Sequence, residues 1–69
     1  MNIVYSHHAK RRLRQRGIAE FEVVDILQSP IELRHSLEGL EIAVGESNKR
    51  LIKVVFSRKE SYIKVVTIV

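Results

Sequence analysis

The chain contains no cysteine, no tryptophan, one proline and three glycines in 69 residues. Without cysteine it forms neither a disulfide framework nor a thiolate metal site, so a secreted disulfide-stabilised scaffold is excluded. No apolar run approaches the ~20 residues of a membrane-spanning helix, and the first residues lack a signal-peptide pattern. Hydrophobic residues nevertheless make up 45% of the chain, which is typical of a globular protein. We therefore expect one cytoplasmic domain over residues 1–69, without membrane contact.

Charge is distributed unevenly along the chain. Residues 1–16 hold five cations and no acid, residues 17–48 carry seven acids against one cation, and residues 49–69 carry six cations against one acid. If the fold brings the two basic ends together, they form a surface that attracts phosphate. The alternative is that the basic groups pair with the acidic middle of the chain.

The stretch from Ser6 to Gly17 is punctuated like a short helix, since Ser6 is a good N-cap and Gly17 is typical just past a C-terminus. At about 100° per residue, Ala9 and Leu13 point toward a core. A polar ridge at spacing i, i+4, i+8 lies beside them, and the remaining polar side chains face solvent. The ridge is His8, Arg12 and Arg16, and the solvent-facing residues are His7, Lys10, Arg11 and Arg14.

A second helix is predicted from about Glu20 to Gln28, where apolar residues recur at helical spacing and Ser29-Pro30 stops the pattern. Ala19 occupies the expected N-cap. It would form a capping box with Glu22 if it were Ser or Thr, so half of that device is missing.

From Ile31 onward the apolar period changes from 3.6 to 2, which predicts strands. Turns are predicted at Glu38-Gly39, at residues 45–48 and at residues 58–61. The fold class that follows is α+β, with two N-terminal helices packed on a four-stranded antiparallel meander.

The last two predicted strands have two different faces. One face is nearly all apolar and should be covered by the helices: Ile52, Val54, Phe56, Ile63, Val65 and Thr67. The other mixes cations with aliphatic groups: Leu51, Lys53, Val55, Ser57, Tyr62, Lys64, Val66 and Ile68. With the turn at residues 58–61, Val55 pairs with Lys64 and Lys53 pairs with Val66. One interpretation of this mixed face is an ordinary solvated surface. Its aliphatic content also suits a surface that binds RNA, a partner protein or a second copy of the chain.

The motif His8-Ala9-x-x-Arg12-x-x-x-Arg16-Gly17-Ile18, followed by an acidic-apolar helix and a meander that ends in Ile63-Lys64-Val65-Val66-Thr67, resembles a family of small bacterial proteins of unassigned function. That family is similar to the RelE/ParE superfamily of toxins, which includes BrnT. The resemblance implies a RelE-like toxin fold and a metal-independent endoribonuclease of a toxin–antitoxin pair. Ala19 departs from the family, which usually has Ser or Thr there.

Metal-free RNA cleavage requires a base, an acid and a cation near the scissile phosphate. The candidate catalytic residues are His8, Arg12, Lys53, Tyr62 and Lys64, and the candidate nucleic-acid contacts are Lys10, Arg11, Arg14, Lys53, Arg58 and Lys64. The alternative for His8 is a structural one, a hydrogen bond to a backbone carbonyl at the helix–sheet junction. Arg16 is predicted to be structural, a half-buried guanidinium that packs beside Leu13 and meets Asp25 or Glu22.

We expect no cofactor and no metal site. A site built from His7, His8 and His35 is disfavoured, because His7 and His8 point about 100° apart on a helix and no carboxylate lies at ligand spacing. Three classes of function stay open at this point. They are a toxin-type endoribonuclease, a module that binds RNA or a ribosome-associated surface without cleaving it, and a module that docks an antitoxin-like protein or an identical chain. We expect Lys53 and Lys64 to matter for binding and Arg16 for folding.

Overall fold

The polar and apolar periods of the chain translate into two layers. The computed structural model describes residues 2–36 and 38–69, and within these residues it contains two helices and five strands. In chain order they are β1 (Ile3–Tyr5), α1 (His7–Arg16), α2 (Glu20–Gln28), β2 (Glu32–His35), β3 (Glu41–Ser47), β4 (Arg50–Arg58) and β5 (Ile63–Ile68). The strands form one sheet in the order β1-β5-β4-β3-β2. The α+β class is confirmed.

The prediction of a four-stranded antiparallel meander is wrong. The segment before Ser6 is a strand, and it pairs in parallel with β5 in the register Ile3↔Ile63, Val4↔Lys64 and Tyr5↔Val65. Three residues are too few to give an alternating pattern, and their partners lie 60 residues away in the chain. The result is a mixed sheet with β1 at one edge and β2 at the other.

Both predicted ends of α1 are confirmed. The Ser6 hydroxyl accepts a hydrogen bond from the Ala9 amide at 3.0 Å. Gly17 has φ 64°, and the Ile18 amide donates to the Leu13 carbonyl at 2.9 Å, the bond that closes a helix over a left-handed glycine. The Ser6 hydroxyl also donates to the Val66 carbonyl at 2.7 Å, which ties the start of α1 to β5.

Helix α2 spans the predicted residues, with Ala19 at its N-cap. The Glu22 carboxylate accepts a hydrogen bond from the Ala19 amide at 2.7 Å, while the methyl side chain of Ala19 returns none. Ile26 of α2 packs on β3 at Gly45, where a Cβ added to the glycine would lie only 2.7 Å from Ile26 Cγ1. Glycine at position 45 therefore permits the close approach of helix and sheet.

Two turns differ from the sequence prediction. Gly45 lies inside β3, and the β3–β4 hairpin turns at Asn48-Lys49, whose φ angles are 57° and 65°. A two-residue turn with both φ angles positive matches the twist of a hairpin, and asparagine tolerates it well. The β4–β5 loop is residues 59–62, one position later than predicted, and the Lys59 amide donates to the Tyr62 carbonyl.

The predicted faces hold for β4 but change within β5. Phe56 pairs with Val65 whereas Val55 pairs with Thr67, so Val66 is an extra residue that forms a β-bulge. The bulge moves Thr67 to the side of Val55 and buries Ile68 in the core. The predicted pairs Val55–Lys64 and Lys53–Val66 are therefore wrong. Lys64 lies opposite Ser57, and Lys53 exchanges backbone hydrogen bonds with Val69.

Both helices contribute to a single core on one side of the sheet. Its buried members are Ala9, Leu13, Ile18, Val23, Ile26, Ala43, Ile52, Val54, Phe56, Val65 and Ile68. The opposite side, here called the open sheet face, includes Val4, Leu51, Lys53, Val55, Lys64 and Val69. No helix within residues 2–36 and 38–69 has both the length and the apolar composition to cross a membrane.

Candidate nucleic-acid interface

The outward face of α1 carries a continuous strip of basic side chains. His7, Lys10, Arg11 and Arg14 have the spacing i, i+3, i+4, i+7, so each lies next to another on the helix surface. All four are exposed, and we call them the basic strip. The helix contains no acid, and both ion pairs within the described residues lie elsewhere, at Arg34–Glu32 and Arg58–Glu41.

The electrostatics of the basic strip are unfavourable for the helix by itself. Lys10 and Arg14 are like charges at i, i+4, which repel one another. Lys10 lies in the first turn, where the helix dipole disfavours positive charge. Among the described residues no carboxylate forms an ion pair with the strip. A bound polyanion would relieve this repulsion, and the exposure of the strip leaves it accessible.

The ridge beside the strip is only partly consistent with its sequence interpretation. Arg12 is half-buried, but His8 and Arg16 are exposed. The prediction that Arg16 is half-buried and meets Asp25 or Glu22 is therefore wrong. The Glu22 carboxylate instead accepts hydrogen bonds from the Ala19 amide and the Ser47 hydroxyl. The structural alternative for His8 requires a hydrogen bond from its ring to a backbone carbonyl. Within residues 2–36 and 38–69 the His8 side chain makes no such bond.

Lys53 and Lys64 lie on the open sheet face, Lys53 half-exposed and Lys64 exposed. Lys64 is opposite Ser57, four residues along β4 from Lys53, so their Cα atoms are about 13 Å apart along the strands. At that distance the two ammonium groups suit different phosphates rather than one. Tyr62 is in the β4–β5 loop and not in a strand.

The sheet separates the candidate catalytic residues. His8 and Arg12 are on α1, whose Ala9 and Leu13 pack in the core on the helix side. Lys53 and Lys64 project from the opposite side of β4 and β5. The five candidates therefore do not converge on a single phosphorus atom. The acid, the base and the cation required for RNA cleavage would all have to come from the same side of the sheet.

Arg58 is engaged within the fold. Its Nε donates to Glu41 Oε2 at 2.6 Å, and its guanidinium lies 5.4 Å from the centre of the Phe56 ring. Glu41 is buried with only 8% exposed. Its charge therefore needs a partner, and Arg58 supplies it from the helix side of β4, away from Lys53.

Arg50 makes a structural contact that sequence reasoning missed. Its guanidinium donates to the carbonyls of Arg16 at 2.6 Å and Gly17 at 2.8 Å. These carbonyls end α1, where a positive charge is favourable. No spacing in the sequence points to this contact, because 33 and 34 residues separate the partners. It joins a residue of the C-terminal basic segment to the end of the N-terminal basic helix.

Tyr5 places a buried hydroxyl on the helix side of β1, and this hydroxyl finds no partner within the described residues. Burial, with a smaller effect of the Glu20 carboxylate, raises the pKa of Tyr5 to about 12. The phenol is thus neutral at physiological pH and an unfavourable general base. It adds no catalytic group to the basic strip.

A cleft of about 160 Å³ lies between α2 and β3. Asp25 and Glu46 line it beside Ser29 and Ser47. Two carboxylates repel a phosphate, so this cleft is a poor nucleic-acid site. Within residues 2–36 and 38–69, no three His, Asp or Glu side chains are grouped so that they could hold a metal ion.

Fold and charge together define a small α+β protein with a two-helix layer, a mixed five-stranded sheet and an exposed basic helix. The profile of the DUF4258 family, a domain of unknown function, matches residues 5–69, and the chain belongs to this family. Searches of curated proteins and of solved structures find no significant match. Membership agrees with the expectation of a family of unassigned function.

Proposed function

We propose that this protein binds RNA through the basic strip of α1. The observation that carries the proposal is the exposed run of His7, Lys10, Arg11 and Arg14 on a helix without an acid. Most of the affinity of a protein for nucleic acid comes from Lys and Arg at phosphates. A phosphate backbone would offset the repulsion within the strip.

A relation to the RelE/ParE toxins is the finer part of this proposal. It rests on the resemblance of the His8-Ala9…Arg12…Arg16-Gly17 motif to a family of unassigned function that is itself similar to these toxins, and on the position of both helices on one side of the sheet. RNA binding is better supported than cleavage, because His8 and the lysines of the open sheet face lie on opposite sides of the sheet. A toxin-type endoribonuclease would have to use groups of one side only.

The test compares two double variants of equal charge change. Lys10→Ala/Arg14→Ala removes two cations of the basic strip, and Lys53→Ala/Lys64→Ala removes two from the open sheet face. Binding to a single-stranded RNA is measured by fluorescence anisotropy over a range of salt. Contrary to the expectation from sequence that Lys53 and Lys64 matter for binding, we expect the α1 variant alone to bind weakly. It should reduce the slope of log K against log salt by about 1.4, since each phosphate contact contributes about 0.7.

The lysine variant should melt like the unchanged protein, because both side chains lie outside the core. The α1 variant should melt at the same or a slightly higher midpoint, because it also loses the repulsion between Lys10 and Arg14. If the lysine variant loses affinity and the α1 variant does not, RNA binds the open sheet face and the proposal is wrong. Cleavage is tested separately, by induced expression in bacteria with mapping of transcript ends. Growth arrest with cleavage that His8→Ala abolishes would establish the endoribonuclease.

The second candidate function is docking of an antitoxin-like protein on the open sheet face. Three aliphatic side chains favour it, since Leu51 is 60%, Val69 54% and Val4 45% exposed. Lys53 and Lys64 lie among them, so a complementary partner would present carboxylates between apolar residues. Titration with an amphipathic Glu/Leu peptide, followed by amide chemical shifts, should perturb β4 and β5. Perturbation confined to α1 would contradict it.

A further inference from the structure

The β2 edge of the sheet is open to another strand. β2 is the outermost strand on its side, and all four of its residues are exposed. Two apolar side chains at this edge face water: Ile31 is 70% and Leu33 41% exposed. An edge strand presents a row of unpaired N–H and C=O groups, which another chain can pair with. Charged side chains restrict that pairing to partners of complementary charge.

The backbone hydrogen bonds of β2 identify the groups that face outward. The Ser36 amide donates to the Leu40 carbonyl, and the register continues as Arg34↔Ile42 and Glu32↔Val44. In an antiparallel ladder, residues that exchange hydrogen bonds with the neighbour alternate with residues that do not. The even-numbered residues of β2 thus bond to β3, and Leu33 and His35 direct their N–H and C=O groups away from the sheet.

We propose that a second copy of this chain pairs with the β2 edge, antiparallel and centred on Leu33. In that register Leu33 exchanges two backbone hydrogen bonds with Leu33 of the second copy. Glu32 then lies directly opposite Arg34 of the second copy, and Arg34 opposite its Glu32. Directly opposite charges of opposite sign stabilise a sheet. The two sheets join into one sheet, with the helices of both copies on the same side.

The charges select this register over its neighbours. Sliding the pairing by one step centres it on Glu32 or on Arg34, which places two carboxylates or two guanidinium groups opposite one another. A contact in which each residue meets its complement on an identical chain is the form that a two-fold dimer requires. In the single chain, Glu32 and Arg34 already form an ion pair at 2.8 Å on one side of β2. In the dimer each guanidinium lies between two carboxylates, and the two Leu33 side chains cover each other.

The proposal is independent of RNA binding. α1 packs on β5 and β1, at the other end of the strand order from β2. Pairing at the β2 edge therefore leaves the basic strip of both copies exposed.

The test uses charge reversal with rescue. Sedimentation equilibrium of the full chain at millimolar concentration should show a dimer. E32R and R34E each place like charges opposite one another, so each should weaken dimerisation about tenfold or more. An equimolar mixture of the two should form the mixed dimer, because every opposite pair is then again of opposite sign. Native mass spectrometry distinguishes the mixed dimer from both parents.

L33P is an independent probe of the backbone. Proline removes an N–H that points to solvent, and edge strands tolerate it at such positions. L33P should therefore remain folded and become monomeric, whereas R34P should lower the melting midpoint by removing a bond to Ile42. A monomeric wild type, charge variants that dimerise normally, or a mixture that fails to form the mixed dimer would each overturn the proposal.

Discussion

Glu22 is a buried carboxylate with two hydrogen bonds. It is 5% exposed, and its oxygens accept from the Ala19 amide and the Ser47 hydroxyl, each at 2.7 Å. These bonds hold the pKa of Glu22 below its usual range, with the bond from the Ala19 amide as the largest cause and the bond from the Ser47 hydroxyl as the next. The ionised form is thus favoured by folding. Its contribution to stability is complete above the unfolded pKa of about 4.3 and is lost as pH falls through the folded pKa.

The first prediction follows from this carboxylate. Glu22→Gln should lower the melting midpoint at pH 7, because the charge-assisted bonds become neutral ones. The difference from the unchanged protein should shrink as pH falls below 4.3, the approximate pKa of an unfolded Glu. Thermal melts over an acid pH series measure both. Asp25→Asn removes an exposed carboxylate of the same helix and serves as the control. An undiminished difference in acid would contradict this account.

At the scale of elements, the two helices begin differently. α1 has a hydroxyl cap at Ser6, and α2 has none at Ala19. The Glu22 amide already donates to the Ala19 carbonyl at 3.0 Å, so an added hydroxyl would gain only part of a cap. The Ser6 hydroxyl, in contrast, also satisfies the carbonyl of the bulged residue Val66.

The second prediction compares these caps. Ala19→Ser should stabilise the protein by about 0.5 kcal/mol, the low end of cap effects, and raise the midpoint by roughly 2–4 °C. Ser6→Ala should cost about 1–2 kcal/mol, because a helix cap and a bond to β5 are both lost. Urea melts of the three proteins decide it. An Ala19→Ser midpoint at or below that of the unchanged protein would count against a missing cap.

The third prediction concerns the contact of α2 with β3. Gly45→Ala should destabilise by about 1–3 kcal/mol, since the new Cβ would meet the stiff, β-branched Ile26 at 2.7 and 2.8 Å. Ile26→Ala removes the opposing γ atoms. The double variant should therefore be less destabilised than the sum of the two single variants, a coupling that a double-mutant cycle measures. Additive losses would show that the two residues do not clash.

At the scale of the whole molecule, contacts between distant segments close the fold. The Ile63 amide donates to the Asn2 carbonyl, the Ser6 hydroxyl reaches β5, and Arg50 reaches the end of α1. Each joins segments that are more than 30 residues apart. The first joins β1 to β5, and the other two attach the ends of α1 to β5 and β4.

The fourth prediction tests the Arg50 contact. Arg50→Ala should lower the free energy of unfolding by about 1–2 kcal/mol, as two charge-assisted bonds to the Arg16 and Gly17 carbonyls are lost. Arg50→Lys should restore little of it, since a single ammonium does not reproduce the guanidinium fork. Lys49→Ala removes the neighbouring exposed cation and is the matched control. If Lys49→Ala and Arg50→Ala lower the free energy of unfolding equally, the loss is a general effect of charge and the Arg50 hydrogen bonds do not stabilise the fold.

Local sequence was sufficient for several parts of the structure. Helix α1 begins after Ser6 and ends before Gly17, and helix α2 lies between Ala19 and Ser29-Pro30. The alternation in β4 predicts which of its side chains enter the core. The exposed cations Lys10, Arg11 and Arg14 also follow from helical spacing. These features depend on interactions within a few residues, and each leaves a readable pattern.

Tertiary structure alone decided the rest. The parallel β1–β5 pairing depends on partners 60 residues apart, and the bulge at Val66 exchanges the sides of Thr67 and Ile68 through one unpaired residue. The packing of distant segments places Arg50 and Arg58 in hydrogen bonds within the fold. It also separates His8 from Lys53, on opposite sides of the sheet. Such contacts are chosen by the burial and hydrogen bonding of the assembled chain, and residues far apart in sequence carry no local pattern that records them.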